Sequence, residues 1–115
     1  MRVLVTGGRD YHNINDARVI YATLDAIHGE NEITALIHGD AHGADRLAAA
    51  WAYDNKVDEE AYPADWARYG KAAGPIRNQS MVDAKPDLVV AFPGRRGTAD
   101  CVRRAKLAGI PVRFA

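Results

Sequence analysis

Strand-like and helix-like segments alternate along the whole of this 115-residue chain, and that alternation confines it to a sheet of parallel strands covered by helices. The expected strands are Arg2 to Thr6, Ile33 to His38, Val57 to Tyr62, Asp87 to Phe92 and Pro111 to Phe114. From about Ile14, the residues Ala17, Ile20, Leu24 and Ile27 recur at helical spacing, with Asn13 and Asp16 placed to cap the first turn. A second helix, Ala44 to about Asn55, would bury Leu47, Ala48 and Trp51. Ala64 to Gly74 reads as a long connection carrying Asp65, Trp66, Tyr69 and Lys71, and connections of that length commonly cover a site. Pro75 suits the first turn of the next helix, which ends near Lys85 because Pro86 cannot continue it. Asp87 to Phe92 is apolar almost throughout, the pattern of a central strand buried on both faces. Thr98 is placed to cap a last helix that turns Val102 and Ala105 inward and closes at Gly109. Residues 1–115 thus form one α/β domain of three layers about a five-stranded, mostly parallel sheet.

Charge and composition narrow the partners. Fifteen Lys and Arg balance fifteen Asp and Glu, so the chain lacks the positive excess with which dedicated nucleic-acid binders track phosphates, and a nucleic acid is disfavoured. No apolar run approaches the roughly 18 residues of a membrane span, so no membrane partner is expected. The single Cys101 can form no internal disulfide, and the first residues lead straight into a strand, which points to a reducing, cytoplasmic setting. The expected state is a monomer or a small oligomer such as a homodimer.

Glycines gather where ligands bind to open parallel sheets, at the carboxyl ends of the strands. Gly7 and Gly8 follow the first strand, Gly39 and Gly43 the second, Gly94 and Gly97 the fourth, each allowing close backbone approach or positive φ. Each loop then offers amides and the positive end of a helix dipole to an anion, whereas a purely structural reading makes these glycines the hinges of tight turns. Neither a dinucleotide fingerprint nor a Walker loop is present. Arg9, Arg77, Arg95 and Arg96 lie in or beside these loops, where a guanidinium can hold a phosphate bidentately. Arg77 carries most weight, because a cation in the first turn of a helix is poorly explained by structure alone. Asp10, Asp40 and Asp45 lie in the same loops, the last two placed to accept from ribose hydroxyls, with capping as the plainer role of Asp45. Asn78 accompanies Arg77, and Pro93 and Thr98 complete the fourth-strand loop. His38, Asp40 and His42 form an H-x-D-x-H run, but Gly39 turns the chain between them, so no metal is expected, and no motif demands a cofactor. Cys101 stands near a helix start, yet without a partnered base it reads as a small buried residue. Trp66 and Tyr69 suit either stacking on a base or pinning the long connection.

Val5-Thr6-Gly7-Gly8-Arg9-Asp10, His38-Gly39-Asp40-Ala41-His42-Gly43-Ala44-Asp45, Ala73-Gly74-Pro75-Ile76-Arg77-Asn78-Gln79 and Phe92-Pro93-Gly94-Arg95-Arg96-Gly97-Thr98 resemble the successive motifs of the SLOG superfamily. That superfamily comprises Rossmann-like nucleotide-binding proteins, including the LOG phosphoribohydrolases and the DNA-processing protein DprA, and the likeness is greatest to its small YspA-type, YpsA-related members. The resemblance implies a Rossmann-like three-layer α/β/α fold and a nucleotide or nucleotide-derived ligand held at those loops. Against the LOG pattern P-G-G-x-G-T-x-x-E, Pro93, Gly94, Gly97 and Thr98 match, but Arg95 replaces a glycine and Cys101 stands at the glutamate position; Asn78 replaces a lysine beside the matching Arg77. Asp100, one position before Cys101, would point elsewhere on the helix by about 100°. Binding as a sensor, carrier or sequestering module is therefore the leading expectation. The alternatives are a nucleoside-monophosphate phosphoribohydrolase using Arg77 with Asp40, Asp45 or Asp100, and a DprA-like binder of single-stranded DNA, which would show strongly salt-dependent binding.

Overall fold

A computed structural model of residues 1–115 contains five strands, β1 (Arg2–Thr6), β2 (Ala35–His38), β3 (Asp58–Ala61), β4 (Leu88–Ala91) and β5 (Val112–Phe114). They form one sheet in the order β3-β2-β1-β4-β5, and every pairing is parallel, where a mostly parallel sheet was expected. The helices are α1 (Ile14–Glu30), α2 (Ala44–Asp54), α3 (Trp66–Tyr69), α4 (Ala73–Asp83) and α5 (Arg96–Leu107). Alternation along the strands sends Val3, Val5, Leu36 and Val90 to one face, against Ile20, Leu24 and Ile27 of α1 and Ala48 and Trp51 of α2. Leu4, Ile37 and Val89 face the other way, against Met81 and Val82 of α4 and Cys101 and Ala105 of α5. Burying each Val, Leu or Ile in these layers is worth about 1.5–3 kcal/mol.

The strand order reverses direction at β1. The chain moves outward from β1 through β2 to β3 on one side, then crosses to the other face to begin β4 on the opposite side of β1. Loops leaving β1 and β4 therefore part to opposite faces, which opens a crevice between them at the carboxyl edge. α1 carries the expected capping box, with the Asp16 amide donating to the Asn13 side chain and Asp16 receiving the Asn13 amide in return.

The strands end within a residue or two of the expected limits, and the larger differences from the sequence reading lie on the face of the sheet covered by α4 and α5. Ala64 to Gly74 is not an open connection: Asp65 caps α3 by accepting from the Arg68 amide, a 3-10 turn covers Gly70–Ala72, and α4 begins at Ala73. Pro75 remains in the first turn, but Arg77 stands as the fifth helical residue and so belongs to the second turn. α5 begins at Arg96 rather than after Thr98, so Thr98 is its third residue and caps nothing as an N-cap; the first turn has no side-chain cap. Leu47 is only partly buried, because α2 turns Ala48, Trp51 and Ala52 to the sheet.

Candidate functional site

The loops after β1, β2 and β4 are bonded to one another at the carboxyl edge. The Gly8 amide donates to the Pro93 carbonyl at 2.9 Å, and the Ala44 amide donates to the Gly8 carbonyl at 3.0 Å. Glycine is required for this approach. A β-carbon on Gly7 would lie 2.7 Å from that of Ala44 and 2.9 Å from that of Phe92. Gly43, at φ +85°, runs against the backbone of Gly8 and Arg9. Gly97 has neither a positive φ nor a neighbour for a β-carbon, so the freedom expected of glycine is not used there.

These loops and the start of α4 enclose a cleft of about 810 Å³. Of the residues singled out in the sequence, Gly7, Gly8, Arg9, Asp45, Arg77, Asn78, Gly97 and Thr98 line it. Gly39 and Gly43 lie behind it as supports, Asp10 and Asp40 are exposed outside it, and Pro93 and Gly94 face a second, more open hollow of about 630 Å³ between α5 and the end of β5. Lys71, Trp66 and Asp100 also line the cleft; of these, Trp66 was expected either to stack on a base or to pin the long connection, and Asp100 entered only as an alternative acid/base group. Trp66 and Lys71 lie on the connection that was expected to cover a site, whereas the short helix α3 that carries Trp66 has too few residues to show periodicity in the sequence. Asp100 is one helical position from Cys101, and that rotation aims it at the cleft while Cys101 turns fully into the core. Burial pushes the Cys101 thiol up to about 11, which removes it as a nucleophile near neutral pH.

Five cations line the cleft: Arg9, Lys71, Arg77, Arg95 and Arg96. Among them only Arg95 has a carboxylate partner, Asp10 at 3.8 Å on the exposed rim. Arg77 is half-buried and partly structural: Nη1 donates to the Gly39 carbonyl and Nε to the Asn78 amide oxygen, leaving its other nitrogen without a protein acceptor. The guanidinium lies across Gly39, where a β-carbon would overlap it. The expectation that structure poorly explains Arg77 is thus corrected, since it stands in the second turn of α4 and its Nη1 serves the Gly39 carbonyl. Asn78 is a brace: its amide nitrogen donates to the Gly97 carbonyl at 3.1 Å and to Asp100 at 3.0 Å, tying α4 to the first turn of α5.

Two of the helices that line the cleft, α2 and α5, directly follow strand loops and differ in what they offer an anion. The first turn of α2 already holds the Asp45 carboxylate. α5 has no side-chain cap and no acidic residue in its first turn, and the amides of Arg96, Gly97 and Thr98 meet no protein acceptor. The positive end of its dipole is therefore open to the cleft.

Two carboxyl groups share the space with opposite shifts. Burial pushes Asp45 above the usual carboxylate range, against the amides of Ala41 and Gly39 that donate to it at 3.4 and 2.9 Å. Partial burial would also raise Asp100, but hydrogen bonds from Arg104, Asn78 and Arg103 prevail and hold it below that range. The raised value means that native Asp45 keeps its proton at a pH where the unfolded chain has released it. Folding therefore loses stability as pH rises from its ordinary value of 3.8 through the raised one. Asp45→Asn should remove this dependence: melting midpoints taken from about pH 4 to about pH 7 should fall in the wild type relative to the variant, and a pH-independent difference would refute it. His38, fully buried, accepts the Asp40 amide at Nδ1, so Nε2 carries the proton donated to Glu59 at 2.7 Å; both ring nitrogens are engaged by protein.

A wholly parallel sheet in this order, with a cleft lined by five cations at the carboxyl edge beside the reversal point, defines a Rossmann-like α/β domain. The model of the YspA, cpYpsA-related SLOG family matches residues 1–69, from β1 through α3, and the chain belongs to that family. It is also similar to the Gene 61 protein of Mycobacterium phage D29, 41% identical over 119 residues, an alignment spanning 96% of this chain and 93% of the phage protein. No solved structure gave a significant match. No helix is long and apolar enough to cross a membrane.

Proposed function

We propose that this protein binds a nucleotide or nucleotide-derived phosphorylated small molecule in the cleft, as a sensor, carrier or sequestering module. The observation that carries the reading is charge imbalance within a neutral chain: five cations line one cleft, four of them without an ion-pair partner, beside an uncapped helix start. What distinguishes these cations is that they gather in one cleft without the carboxylate partners that Arg2 has in Glu60 and Arg104 in Asp100. A phosphate at the first turn of α5 would accept the free amides and one or more guanidinium groups. Membership of the SLOG family supports a nucleotide-related ligand. Native mass spectrometry of gently purified protein should reveal an adduct of phosphorylated nucleotide mass, retained from the cell or acquired from millimolar AMP; the absence of both would count against the reading.

One observation favours a second reading, hydrolysis of a nucleoside monophosphate. Asp45 and Asp100 line the same cleft with shifts in opposite directions, the arrangement that separates a proton donor from an ionised partner. Release of free base and ribose phosphate from AMP, abolished in Asp45→Asn, would establish it.

A further inference from the structure

Trp66 is a large ring that the fold leaves at the rim of the cleft. It opens α3, a helix of four residues with nothing buried, and is 50% exposed. The other tryptophan shows the usual fate of such a side chain: Trp51 is fully buried, with its indole N–H donated to Asp25 at 2.8 Å. The indole N–H of Trp66 has no protein acceptor, and its Cη2 edge stands 3.4 Å from where a β-carbon of Gly74 would lie. Gly74 is one turn before Asn78 on α4, hence roughly 6 Å along the helix axis from the level at which Asn78 meets α5. Tyr69, on the same short helix, is not part of the cleft; its ring carries the Arg68 guanidinium at 5.0 Å instead.

A flat π surface and, lining the same cleft, free cations with open amides are the two halves that a planar base joined through a sugar to a phosphate requires. We infer that Trp66 is the base-stacking residue of this site, selecting ligands that carry a planar ring over phosphorylated sugars that do not. The inference rests on the proposed phosphate site and adds to it a determinant of specificity. Stacking on an exposed indole tolerates any base, because every base has a π face, so Trp66 confers preference for a base without choosing which one.

AMP and ribose 5-phosphate, titrated separately into the intact chain and into Trp66→Ala and Trp66→Phe, test it. The wild type should bind AMP about tenfold or more tighter than ribose 5-phosphate. Trp66→Ala should bring AMP to the level of ribose 5-phosphate while leaving the latter unchanged, and Trp66→Phe should keep most of the preference. AMP should also alter the tryptophan fluorescence of the wild type but not of Trp66→Phe, in which only the buried Trp51 remains. Equal losses for both probes in Trp66→Ala, or no loss for either, would overturn the assignment while leaving the phosphate site standing. Failure of both probes to bind the wild type would overturn the phosphate site and this inference together.

Discussion

Replacing Gly43 with alanine should destabilise the folded chain by about 2–5 kcal/mol, lowering the thermal midpoint by roughly 10–20 °C. Two separate costs add. Gly43 has φ +85° and ψ −127°, a conformation that residues with a β-carbon rarely adopt. The added carbon would also overlap the Gly8 carbonyl and lie 2.7 Å from the Cα of Arg9, and both of those atoms are backbone. Relief requires moving the β1 loop, which breaks the hydrogen bond from the Ala44 amide to the Gly8 carbonyl and spreads two walls of the cleft. Gly29→Ala is the matched control, because Gly29 lies within α1 and a β-carbon there meets nothing within 4 Å. That variant should be as stable as the wild type or up to about 1 kcal/mol more so. Similar midpoints for the two variants, measured by thermal melts, would show that the contact between the β1 and β2 loops does not hold this edge together.

The architecture was legible because its signals are local and repeated. Ile20, Leu24 and Ile27 mark α1, the Asn13 and Asp16 pair marks its start, and the unbroken apolar run of β4 marks a strand covered on both faces. The glycines also located the correct edge, since Gly7, Gly8 and Gly43 are the points where three loops touch. What stayed hidden depends on contacts distant in sequence. The role of Arg77 in covering Gly39, 38 residues away, has no local pattern. Nor does the brace from Asn78 to Asp100, which turned an expected ligand contact into a strut and an apparently misdirected carboxylate into part of the cleft wall. The glycine rule failed at Gly97 for a related reason: its place in the first turn of α5 is ordinary helix, and only the position of that helix start makes it part of the site.

Arg77→Ala should weaken binding of a phosphorylated ligand by about 1.5–3 kcal/mol, roughly 10- to 150-fold, the range for a hydrogen bond to a charged group. It should also lower stability by about 1–3 kcal/mol, because the carbonyl of the buried Gly39 loses its donor. Arg77→Lys keeps the charge but not the fork: an ammonium cannot serve the Gly39 carbonyl, the Asn78 oxygen and a phosphate with the same geometry, so it should recover only part of either loss. Binding is therefore to be measured well below the melting midpoint of each variant. The most direct test of the anion site is calorimetric titration of AMP and of adenosine into the wild type and Arg77→Ala at constant ionic strength. The phosphate should strengthen binding to the wild type at least tenfold, and Arg77→Ala should erase most of that advantage while changing adenosine little. AMP and adenosine binding equally to the wild type, or an AMP affinity indifferent to Arg77, would contradict a phosphate site in this cleft.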